Sequence, residues 1–108
     1  MILLGAALAA VSLSLDVPYL PQTDQLCGGA AAAMVFRYLG DTHADVRSFE
    51  PLVDRHAGGI TTGALVGEIE RRGYSAETFA GTIALLRERA QHGEPIIVLL
   101  KDGRSAYH

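Results

Sequence analysis

Glu94-Pro95-Ile96-Ile97-Val98-Leu99-Leu100-Lys101-Asp102-Gly103-Arg104-Ser105-Ala106-Tyr107-His108 is the stretch that decides what fold to expect. Residues 96–100 are isoleucine, valine and leucine with no polar member, the pattern of a strand buried on both faces. Asp102-Gly103 is the dipeptide of a type I′ turn, so residues 101–104 read as a hairpin turn. A second arm starts at Ser105, and His108 falls on it. An apolar strand left at the edge of a sheet is a pairing hazard. The sheet is therefore expected to continue beyond His108, which makes the domain incomplete at its C-terminal end.

Upstream the period changes from strand to helix. In residues 30–39, Ala31, Met34, Val35 and Tyr38 share one face at i, i+3, i+4 and i+7, and the alanines favour helix strongly. Gly40 suits the left-handed position that ends such a helix, and Cys27 sits at its entry. A weaker helix over residues 45–56 carries Val46, Phe49, Leu52 and Val53, and Pro51 makes it short or broken. Thr61 or Thr62 can cap a helix over residues 63–72 with Leu65, Val66 and Ile69 on its face, stopped by Gly73. Residues 74–79 alternate and read as a strand. Thr82 caps a helix over residues 83–92, stopped by Gly93. Helices first and strands afterwards predict an α+β fold.

The N-terminal residues stand apart. Met1-Ile2-Leu3-Leu4-Gly5-Ala6-Ala7-Leu8-Ala9-Ala10 is apolar and uncharged, but shorter than the roughly 20 residues of a membrane span. Ala7-Leu8-Ala9 has the small-x-small form of a signal-peptidase site, without the basic region that normally precedes one. Three readings compete: a signal peptide, a short anchor, or a first strand over residues 11–17, where Val11, Leu13, Leu15 and Val17 alternate. Residues 1–15 are accordingly set off as leader or first strand, and residues 16–108 as the folded domain. Export or membrane association is the expected setting, with the cytoplasm as the alternative.

Composition narrows the function. The chain has 108 residues, 49% of them hydrophobic and 19% charged, which allows one globular domain with one core. Nine basic residues against twelve acidic ones give a net charge of −3, which argues against a nucleic-acid partner. A single cysteine excludes an internal disulfide framework. No Cys/His cluster has zinc spacing, and no glycine-rich Lys-Ser/Thr loop is present, so neither a metal nor a cofactor is expected.

The one thiol is the chemical candidate. A cysteine at a helix N-terminus meets the positive end of the helix dipole and free backbone N–H groups, both of which favour a thiolate. Gly28 and Gly29 would let a substrate approach the backbone, since no Cβ stands in the way. Pro18 and Pro21 bracket an extended arm, from which a glutamine could offer its amide beside the Cys27 N–H as an oxyanion hole. Gln22 has room to fold back, whereas Gln25, two residues before Cys27, has little. Against this stands the plainer reading of Cys27 as a small buried apolar residue. Of the four histidines, His43 lies in a polar loop, His56 beside an Asp-Arg pair and His92 near a helix C-terminus. His108 alone sits on a strand that could face Cys27 from another element, as a Cys–His pair requires.

Val17-Pro18-Tyr19-Leu20-Pro21-Gln22, Cys27-Gly28-Gly29-Ala30-Ala31 and Tyr38-Leu39-Gly40 resemble, in that order, the papain-like cysteine peptidases that process double-glycine leader peptides, family thirty-nine of the cysteine peptidases. Gly58-Gly59-Ile60, Arg72-Gly73-Tyr74, residues 95–100 and Tyr107-His108 follow the same order, so the resemblance spans residues 17–108. It implies a papain-like fold, with N-terminal helices packed on an antiparallel sheet. It also implies a triad with Cys27 as nucleophile, His108 as general base and Gln22 as oxyanion donor; the orienting acid would follow His108, so this chain alone is expected to be a poor catalyst. Leu26 stands where the family often has Asp, and Gly29 where it often has Pro. The implied activity is cleavage of a peptide after small residues such as a Gly-Gly leader site, with an ABC transporter or membrane partner. The alternatives are a peptide-binding domain without turnover and a papain-like peptide transferase.

Overall fold

The structure, a computed structural model, describes residues 14–101. Among the described residues, three α-helices and one 3-10 helix are joined by turns and irregular segments. Helix α1 (Cys27–Tyr38) is the alanine-rich segment. Its end follows from Gly40, whose φ of 102° is open to glycine and strained for other residues. That turn lets Gly40 N–H donate to the Arg37 carbonyl at 3.1 Å and Asp41 N–H to the Phe36 carbonyl at 2.9 Å. The Arg37 side chain then ties down the next loop, its Nε donating to the Ala44 carbonyl at 2.8 Å.

The segment expected as a second helix is the 3-10 helix Val46–Leu52, opened by the Asp45 carboxylate accepting from Arg47 N–H. Pro51 lies inside it and supplies no N–H, which limits its length. A tight turn follows, closed by paired backbone hydrogen bonds between Asp54 and Gly59 of 2.8 and 3.1 Å. Helix α2 (Thr62–Arg71) and helix α3 (Ile83–Gln91) start at Thr61 and Thr82, whose hydroxyl oxygens accept from Ala64 N–H and Leu85 N–H.

The core gathers around one side of α1. Leu26, Ala30, Ala32, Ala33 and Phe36 are buried with Ala44, Val46 and Phe49. Phe36 and Phe49 stack with ring centroids 6.1 Å apart, and Tyr74 tilts over Phe36 at 5.1 Å. Such aromatic pairs add about 1 kcal/mol each beyond the area they bury. The 31/34/35/38 face expected to be the core face is only half-buried. The deepest face instead runs Gly29, Ala33, Phe36, at i, i+4 and i+7, because Phe49 packs directly on it.

The expected α+β, papain-like architecture is not what the described residues form: they contain helices and no strand, hence no antiparallel sheet for the helices to pack on. Residues 74–79 form no strand. Residues 96–100 are not buried on both faces. Ile96 and Ile97 are half-buried against the helices, while Val98, Leu99 and Leu100 are 47%, 64% and 63% exposed. The physical reason is that β-branched and leucine side chains favour extended backbone, but a strand exists only when another segment satisfies its N–H and C=O groups. The second hairpin arm and most of its turn, residues 102–108, lie outside the described residues. So do residues 11–13 of the expected first strand; residues 14–17 form no strand, and Leu15 and Val17 are half-buried between exposed Ser14 and Asp16.

Candidate active site

Cys27 is the first residue of α1, half-exposed, with a free thiol. The turn at Thr23-Asp24-Gln25 delivers it there, closed by Leu26 N–H donating to the Thr23 carbonyl at 3.1 Å. Gln25 takes the left-handed conformation, φ 61°, which costs a non-glycine residue about 1 kcal/mol. Burial of Leu26, 3% exposed, offsets it, since a fully buried leucine stabilises by about 2 kcal/mol. No side chain caps the helix start. Within the helix the first bonded donor is Ala30 N–H, to the Leu26 carbonyl at 2.8 Å. The N–H groups of Cys27, Gly28 and Gly29 therefore have no acceptor within α1, the arrangement that gives a helix N-terminus its affinity for developing negative charge.

Gly28 and Gly29 have a different role from the one expected. A Cβ on Gly29 would lie 2.7 Å from Phe49 Cβ and 3.2 Å from its Cγ, and one on Gly28 would lie 3.7 Å from Ile60 Cβ. What these glycines let approach α1 is the protein's own side chains, Phe49 at Gly29 and Ile60 at Gly28. Gly59 is similarly placed, since a Cβ there would come within 3.4 Å of the Gln25 carbonyl. The 3-10 helix and the Asp54–Gly59 turn thus brace the first turn of α1 from below.

The other expected site residues are not assembled around Cys27. Gln22 is exposed on the extended arm and shares no hydrogen bond with Cys27, and Gln25 is exposed in the turn. His108 lies outside the described residues. The remaining histidines are exposed and serve local structure: His43 N–H donates to Asp41 Oδ1 at 3.1 Å and His56 N–H to Asp54 Oδ1 at 2.9 Å. The His92 ring, through Nδ1, meets the Glu88 carbonyl at the end of α3, 2.8 Å away.

Two features were not anticipated. The first is an apolar cleft of about 480 Å³ lined by Ala31, Met34 and Val35 of α1, Leu86 and Ala90 of α3, Leu15, Val17 and residues 94–98. Cys27 precedes that α1 face by one turn, at the i−4 position to Ala31. The second is Glu68, a carboxylate only 8% exposed. It accepts from Arg71 at 2.6 and 2.8 Å and from Arg72 Nε at 2.8 Å. The Arg72 guanidinium also lies 4.4 Å from the Phe49 ring centroid and 5.1 Å from that of Phe36, and donates to Ser48 Oγ at 2.9 Å. Hydrogen bonds from the two arginines hold Glu68 down to a pKa of about 2, against the opposing effect of burial. The Glu-x-x-Arg-Arg spacing was the available signal, since i,i+3 and i,i+4 pairs meet on a helix.

Among the described residues, no helix is long and apolar enough to cross a membrane, and no group of three or more His, Cys, Asp or Glu could hold a metal ion. Comparisons with protein-family models, curated proteins and solved structures gave no match.

Proposed function

We propose that the chain is a cysteine-type peptidase that cleaves a peptide after small residues, of the kind found at a Gly-Gly leader site, with Cys27 as its nucleophile. The observation that carries the reading is a half-exposed thiol on the first residue of an uncapped, twelve-residue helix. Cys27 Sγ gives its proton to the His108 imidazole and forms a bond to the scissile carbonyl carbon. The oxyanion is met by the Cys27 N–H and the Gln22 side-chain amide. The C–N bond then breaks, the imidazolium protonates the departing amine, and water releases the acyl group from sulfur. The roles of His108 and Gln22 rest on the sequence order Gln22, Cys27, His108 and on its resemblance to the leader-processing peptidases. Gln22 must swing toward Cys27 when a peptide binds, since the two are not hydrogen-bonded in the free protein.

The test is alkylation by iodoacetamide at pH 6.5, followed by intact mass, on the folded and the urea-unfolded chain. The proposal expects the folded thiol to react at least several-fold faster, and His108→Ala to abolish that advantage. A folded thiol that reacts only as the chain unfolds overturns it in favour of a peptide-binding domain. Incubation with a Gly-Gly-containing peptide completes the test. Hydrolysed product supports the peptidase, whereas ligated product with no hydrolysis identifies a peptide transferase.

A further inference from the structure

We draw no further inference here: the strongest candidate, the apolar cleft between α1, α3 and residues 94–98, is a face left open in the fold, and nothing in the structure shows what covers it.

Discussion

Gly29→Ala separates two reasons for a glycine beside the nucleophile. If Gly29 served only to admit a substrate, alanine would strengthen the helix by about 1 kcal/mol, the usual difference in propensity. The structure predicts the reverse. The new methyl carbon would sit 2.7 Å from Phe49 Cβ, where carbon atoms pack best at about 3.5–4.0 Å. Close to 1 Å of relief is therefore needed from a residue with 0% exposure. Overpacking of this sort costs about 1–3 kcal/mol. Set against the propensity gain, the net loss is up to about 2 kcal/mol. Urea unfolding followed by circular dichroism would show a lower midpoint with an unchanged slope. Gly67→Ala is the matched control: it lies in α2, nothing approaches a Cβ there within 4 Å, and it should gain about 0.5–1 kcal/mol. A Gly29→Ala variant stabilised as much as Gly67→Ala would refute the packing argument.

The Glu68 carboxylate contributes stability that is fully present above its unfolded pKa of about 4.5 and is lost as pH falls toward about 2, because pairing lowers the folded value. The full difference corresponds to about 3 kcal/mol, and screening at Arg71, 70% exposed, trims it to about 2. Glu68→Gln should flatten that part of a stability-versus-pH profile, and an unchanged acid limb would contradict the pairing. Arg72→Met keeps much of the packing on Phe36 and Phe49 but removes the cation, so it should cost about 2 kcal/mol. A thermal shift of no more than a degree would sink that estimate. Thr82→Ala removes the cap of a helix with no buried residue and should cost about 1 kcal/mol locally. Hydrogen exchange would then quicken in α3 while α1 amides stay protected; equal protection in both helices would count against it.

What was legible in the sequence was local. Gly40, Gly73 and Gly93 end helices where they were expected to, and all three have positive φ. Thr61 and Thr82 cap the helices they precede. Pro51 marks the segment that became a 3-10 helix. These signals lie within a few residues of their effect, so a single stretch of chain carries them. The α1 face was harder to read. Ala31, Met34, Val35 and Tyr38 are the more hydrophobic set by side chain, yet the deeper burial falls to Gly29, Ala33 and Phe36. Small residues there admit Phe49 closely, and no helical periodicity count registers a partner some twenty positions away in the chain.

The strands failed for the same reason at greater range. Residues 96–100 have the composition of a buried strand, yet they form none. Pairing is a property of two segments, and among the described residues no second segment meets these five. The result is three consecutive large apolar side chains facing solvent, beside a cleft whose α1 wall continues the face that begins at Cys27. The candidate site divides along the same line. The position of Cys27 at a helix N-terminus was legible because a glycine-alanine run starts there. The bracing of that turn by Phe49, Gly59 and Ile60 was not, because each reaches it from twenty or more residues downstream. Whether Cys27 reacts as a nucleophile therefore depends on donors set by local sequence and held by distant packing. The Gly29→Ala variant perturbs the second without altering the thiol itself.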